Sequence, residues 1–150
     1  SIHRTFAFIC RRLSENQVAY WLFKQEPSSY SYSSLERDTR TTWDGVTNNL
    51  ALKNLRAAKR GDTAFFYHTG EEKQIVGIME VLTDAYPDPK DKSLSVVDVR
   101  PAGRLPRPVT LSAIKADRTF SDWELVRIPR LSVMPVPTRL WNRIMQMAAD

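Results

Sequence analysis

The sequence predicts an α+β fold, a small curled sheet or barrel with short helices around it. Three observations lead there. About five short runs have the apolar pattern of β-strands, and they alternate with helical patterns along the chain. Residues 50–58 and 140–148 carry apolar side chains at helical spacing. No internal repeat or low-complexity tract divides the 150 residues, a length that suits one domain with one sizeable core.

Residues 1–18 stand apart as an N-terminal extension. Arg4, Arg11 and Arg12 flank a short apolar run at 6–10. That run is too short for a secretory signal, and no cleavage site is clear. An arginine-rich organelle presequence is one reading; an extension outside the domain core is preferred. The domain is expected over residues 19–150.

Residues 19–25 form the first expected strand, ended by Glu26-Pro27 because proline cannot donate to a ladder. Both faces are mostly apolar, so burial on both sides is expected, with Lys24 and Gln25 at the polar end. Lys24 fits either a binding site or a solvated strand end. Residues 28–32 are a Ser/Tyr loop. Residues 33–36 have capping-box spacing, which predicts a short helix from Ser33.

Residues 42–49 join a large aromatic, Trp43, to a turn glycine, Gly45, and an amide-rich exit. A helix follows at once, capped by Asn48 or Asn49, with Ala51, Leu55 and Ala58 on one face. The order places an indole beside free helical N–H groups, a place for a flat polar ligand or a phosphate. A core tryptophan beside a turn is the plainer alternative. Lys59 and Arg60 suit the helix C-terminus, and Gly61 suits a left-handed cap.

Residues 63–69 and 74–82 read as a hairpin around the charged turn 70–73. Gly77 within the second strand predicts a bulge or a close backbone approach. His68, ending the first, is either a hydrogen-bonded structural residue or a site residue. Residues 85–91, with Pro87 and Pro89, read as a loop; 94–100 as a strand; 101–108 as a Pro/Arg-rich connection holding Arg104 and Arg107. Thr110 should cap a short helix over 111–116. Residues 123–126 are a short apolar run, 130–136 a last short strand, and the end an amphipathic helix.

Twenty-two Lys and Arg against 17 Asp and Glu give a net charge of +5, which favours polyanionic partners. Cys10 is the single cysteine, so neither an internal disulfide nor a cysteine-built metal cluster can form. No run approaches the roughly 18 apolar residues of a membrane span. The one cysteine also excludes a zinc deaminase. The glycine-rich phosphate loop, the His-Glu-x-x-His helix and the Gly-x-Ser-x-Gly elbow are missing from the sequence. Asp88, Asp98 and Arg100 loosely follow a metal nuclease's pattern, but arginine holds its proton too tightly for the usual lysine's work. Neither a catalytic set nor a metal or other cofactor is expected.

The binding constellation is richer. Trp21, Trp43, Phe66 and Tyr67 offer flat faces; Lys24, Gln25, Asn48, His68, Thr69 and Ser132 offer polar groups near strand ends. A pocket for one flipped base needs such a set, and stacking on an aromatic contributes about 1–3 kcal/mol. Arg40, Arg104, Arg107 and Arg130 could form a basic rim. An aromatic-rich core in a small β domain has much the same composition.

Several ordered motifs resemble the EVE domain family: residues 20–27 (YWLFKQEP), 43–46 (WDGV), 65–69 (FFYHT), 85–88 (AYPD), 97–99 (VDV), 105–109 (LPRPV) and 130–136 (RLSVMPV). The resemblance spans about residues 19–147 in order. It implies a PUA-like fold, a small mixed β-barrel with flanking short helices, and a non-enzymatic reader of modified bases. Departures from the family pattern are Gln25 where serine is usual, Leu94 for a usual Trp, and Thr47, Asn49, Leu50 and Leu52 after the Trp-x-Gly-Val motif.

The implied site has Trp43 stacking on a base, with Trp21 and Gln25 nearby. Asn48, His68, Thr69 and Ser132 meet the base edge, and Lys24 supplies charge. Arg130, Arg104 and Arg107 hold the backbone. The expected partner is nucleic acid, modified DNA (5-methylcytosine-type) ahead of RNA. The protein is expected to be a monomer away from membranes, cytoplasmic in a bacterium or nuclear in a eukaryote. The alternatives are an RNA-binding module, a nuclease or base hydrolase using Asp88, Asp98 or His68, and a binder of a small metabolite.

Overall fold

The computed structural model describes residues 18–149. The readings placed on residues 1–17, including Cys10, lie outside them. Seven strands form a mixed sheet: β1 (Tyr20–Gln25), β2 (Thr41–Trp43), β3 (Thr63–His68), β4 (Gln74–Val81), β5 (Tyr86–Asp88), β6 (Asp91–Thr110) and β7 (Val133–Pro135). Their order is β2-β6-β4-β3-β1-β7, with β5 paired to β6. β1 and β3 are parallel and the other pairs antiparallel. Among the described residues five α-helices flank the sheet: α1 (Tyr32–Asp38), α2 (Asn49–Ala57), α3 (Leu111–Lys115), α4 (Glu124–Arg127) and α5 (Thr138–Ala149).

The sheet curls into a half-barrel, and α2 packs against β7 and the start of β6. The Asn54 side chain donates to the Val133 carbonyl of β7 at 2.8 Å. Two residues on, Arg56 donates to Ser95 Oγ and to the Ser93 carbonyl of β6, both at 2.9 Å. One helix thus satisfies a carbonyl of the edge strand β7 and a carbonyl at the start of β6.

Alternation in β1 and β3 divides the core. Trp21, Phe23 and Gln25 lie opposite Ala64, Phe66 and His68, while Tyr20, Leu22 and Lys24 lie opposite Thr63, Phe65 and Tyr67. On the second face Trp141 of α5 stacks between Phe65 (3.8 Å) and Tyr20 (4.2 Å). On the first, Trp43 packs against Phe23 (5.4 Å) and edge-on to Phe66 (5.3 Å).

Gly77 makes the close approach its sequence context predicts. A Cβ there would stand 2.6 Å from the Tyr32 ring, and the β4 register shifts beside it against both neighbours. Other expectations need correction. The α1 cap is Ser31, whose side chain accepts from Ser34 N; a serine run offers several caps, and the one that puts Tyr32 and Leu35 inward is used. Asn48 is the α2 cap, but the helix ends at Ala58 with extended backbone, and Gly61 (φ 94) serves the following turn. The 101–108 connection is instead the second half of the 20-residue β6. Register shifts against β4 and Gly103 at φ 136 let the strand carry its prolines. β5 was hidden in the stretch that read as a proline loop, and β2 overlaps the start of the 42–49 segment, which read as an aromatic beside a turn.

Candidate functional site

A cleft of about 420 Å³ opens where β1, the 28–31 loop and the 41–45 segment converge. That volume lies within the usual range of about 300–1,000 Å³ for ligand pockets. Trp43 forms one wall and Tyr30 of the 28–31 loop is also in the lining; Gln25, Ser29, Thr41 and Asp44 add polar groups. Trp43 is only 3% exposed, so its ring is both a core residue and the pocket's apolar wall.

The cleft rim is held by short polar contacts. Tyr30 donates its hydroxyl to Asp38 Oδ2 at 2.9 Å, tying the loop to the end of α1. That bond holds the Asp38 carboxyl below its ordinary range, while burial pushes the Tyr30 hydroxyl up. Thr42 (3.0 Å), Tyr86 (2.6 Å) and Arg40 (2.7 Å) all donate to the Asp98 carboxylate. Burial alone would raise Asp98, but these three donors outweigh it and leave its carboxyl low. Beyond the rim, Asn48 Oδ1 accepts from Ala51 N at 3.0 Å and fixes the start of α2.

The structure separates residues that the sequence grouped. Trp43 and Gln25 line the cleft. His68 lies beside it but is committed to the fold: Nε2 accepts the Tyr32 N–H at 3.1 Å, and Nδ1 contacts Glu72 Oε1 at 2.8 Å. The first bond requires a bare Nε2, so Nδ1 carries the proton and donates to Glu72. Trp21 is not among the residues lining this cleft. Its indole N–H donates to the buried Asp62 at 2.9 Å, at the opposite end of β1 from Gln25. Asn48 spends its carbonyl oxygen as a helix cap. Lys24 and Thr69 line a different cavity, on the opposite sheet face. Ser132 contributes its carbonyl to Lys24 N at 2.9 Å.

Of the expected rim, Arg104 is engaged by Glu36 and by Ser33 Oγ at 2.7 Å, and sits 5.3 Å from the Tyr32 ring centroid. Arg107 and Arg130 are exposed. Sequence reasoning missed Tyr30, Ser29, Thr41 and Asp44. The Ser/Tyr composition of residues 28–32 was the available signal for the first two. Asp88 accepts its own turn's Lys90 N at 2.9 Å, and Asp98 accepts from Arg40, Thr42 and Tyr86. Among the described residues, no three His, Asp or Glu side chains are grouped as metal ligands.

A curled mixed half-barrel with flanking short helices is a PUA-like architecture. The EVE domain model matches residues 19–147, and the chain belongs to the EVE domain family. Thymocyte nuclear protein 1 of Rattus norvegicus is 38% identical over 100 residues, 59% of this chain and 43% of that protein. The Homo sapiens protein of the same name is 40% identical over 86 residues, 49% of this chain and 38% of that one. The matched region thus covers about two fifths of these relatives' length. Rpa0253 from Rhodopseudomonas palustris superposes with a TM-score of 0.84 at 42% identity, over 88% of this chain and 94% of that one. Human THYN1, solved in complex with 5-methylcytosine containing DNA, gives a TM-score of 0.81 at 26% identity, over 88% and 98% of the two chains.

Proposed function

We propose that this chain is a non-enzymatic nucleic-acid-binding module that takes a modified base, of the 5-methylcytosine type in DNA, into the Trp43 cleft. The carrying observation is the cleft's make-up, an indole wall beside a carboxylate and a primary amide. Asp44 offers the acceptor that a cytosine 4-amino group needs, and Gln25 offers both donor and acceptor to the remaining edge. The Trp43 and Tyr30 rings offer apolar surface to a base face and its 5-methyl group. The human relative solved with 5-methylcytosine containing DNA supports the reading. The net charge of +5 suits a polyanion, with Arg107 and Arg130 exposed to meet a backbone.

On this reading the protein acts as a monomer, cytoplasmic in a bacterium or nuclear in a eukaryote; among the described residues no helix is long and apolar enough to cross a membrane. A panel of short DNAs and RNAs, with and without cytosine or adenine methylation, tests it. Tightest binding to 5-methylcytosine DNA is expected. Equal affinity for modified and unmodified strands sinks the reader claim, and preference for RNA moves the module to the alternative partner.

A further inference from the structure

On the opposite face of the β1–β3 pair from the Trp43 cleft lies a second cavity, of about 240 Å³. Three lysines line it: Lys24 from β1, Lys73 from the β3–β4 turn and Lys115 from the end of α3. Its apolar lining comes from Tyr67, Leu111 and Leu125, and no carboxylate is among the lining residues. We propose that this cavity is a phosphate-binding site, independent of the base cleft.

The lysines are built in to different degrees. Lys24 is the anchored one: its Nζ donates to the Pro129 carbonyl at 2.9 Å and sits 5.4 Å from the Tyr67 ring centroid. One of its three N–H donors is thereby used, and two remain for a ligand. Lys73 is held with its backbone in the left-handed region (φ 47), and its carbonyl accepts from Leu111 N at 2.8 Å. That bond joins the turn to the first residue of α3, the helix that carries Lys115. The two exposed lysines therefore approach the half-buried Lys24 from elements tied to each other.

Two nearby acids are occupied elsewhere, while Glu71 lines an adjoining cavity with Lys73 and Lys115 rather than this one. Glu72 is hydrogen-bonded to His68 and Gln74. Glu26 lies against Gly70 but accepts from Thr69 Oγ1 and Ser28 Oγ, both at 3.2 Å. Burial also pushes the Lys24 ammonium down to about 8, as befits a cation without a counter-charge, which a bound anion would supply. Lysine suits this task because it meets phosphate as a point charge with rotatable donors. The tyrosine and leucine surface accommodates a phosphate carried on an organic group.

The test titrates the folded chain with inorganic phosphate against chloride at equal ionic strength, and follows the amide resonances of Thr69, Gly70, Lys73 and Lys115. Saturable shifts confined to that group are expected, with protection of the Lys24 amine from acylation. Lys73→Gln and Lys115→Gln should each weaken phosphate binding about tenfold, the worth of one charge-assisted hydrogen bond. Shifts no different from those with chloride, or affinities unchanged in both variants, overturn the site. Two further arms separate the sources. Displacement of phosphate by unmodified single-stranded DNA assigns the site to a nucleic-acid backbone. Displacement by a nucleoside monophosphate but not by DNA assigns it to a small phosphate ester. A Trp43→Phe variant should bind phosphate as wild type does, so this proposal stands or fails separately from base reading.

Discussion

His68 Nε2 accepts the backbone N–H of Tyr32 at 3.1 Å, so the last residue of β3 closes the first turn of α1. The bond also explains why a histidine at the edge of a candidate pocket is not a free base. His68→Ala leaves the Tyr32 N–H without its partner and removes one of the two side chains hydrogen-bonded to Glu72. An expected loss of about 1–3 kcal/mol follows for a buried donor left unmade. His68→Gln keeps an acceptor at the Nε2 position and should recover part of it. Urea unfolding midpoints of the two variants check both statements.

Trp21 supplies a control for the site assignment. Asp62 accepts from Trp21 Nε1 (2.9 Å), Lys59 N (2.8 Å) and Ala19 N (3.0 Å), and it is 5% exposed. Trp21→Phe removes one donor from a buried carboxylate and should cost about 1–3 kcal/mol. DNA affinity should stay within about twofold, because nothing in this pair reaches the cleft. A tenfold affinity loss without unfolding would return Trp21 to the binding site.

Gly77 should not tolerate alanine. The added methyl would meet the Tyr32 ring, whose hydroxyl donates to the Ile78 carbonyl at 2.7 Å and accepts from Gly103 N at 3.0 Å. Both bonds fix the ring, so it cannot swing aside freely. Gly77→Ala is expected to cost about 1–3 kcal/mol by overpacking. Thermal unfolding of the variant reads this directly.

Lys24 and Tyr67 give stability a characteristic alkaline profile. Burial lowers Lys24 from 10.5 to about 8 and raises Tyr67 from 10.0 to about 12. Between pH 8 and 10.5 the unfolded chain holds a proton on Lys24 that the folded chain has lost, so stability rises with pH. Between pH 10 and 12 the folded chain keeps the Tyr67 proton that the unfolded chain has lost, so stability falls. Lys24→Met should abolish the rise, and Tyr67→Phe the fall, in urea midpoints measured across that range.

Much of the frame was legible in the sequence because its signals are local. The aromatic runs of β1 and β3, the Asn48 cap, Thr110 before α3 and the apolar stripe of α5 are each set by neighbouring residues. β2 and β5 were not legible, since each holds three residues and exists only by pairing with β6. The length of β6 was masked by prolines that its bulges accommodate. The site was half legible. Residues 42–49 named the cleft's wall, yet Lys24 and Gln25, adjacent in sequence, point to different cavities. Strand alternation implies that division, but which cavity would exist on each face depended on where α1, α3 and α4 settle.

Trp43 is also why the obvious truncation is a poor test. Its ring packs on Phe23 and Phe66, so Trp43→Ala should cost about 3–5 kcal/mol and confuse folding with binding. Asp44 is exposed, and among the described residues its carboxylate makes no side-chain hydrogen bond. The most direct measurement is therefore the ratio of affinities for 5-methylcytosine and unmodified cytosine in otherwise identical DNA, for wild type and Asp44→Asn. The account predicts a clear preference for the methylated strand in wild type. It also predicts roughly tenfold or greater weakening for it in the variant, the worth of one charged hydrogen bond to the base edge. A wild-type ratio of one, or identical affinities of wild type and variant for methylated DNA, contradicts it.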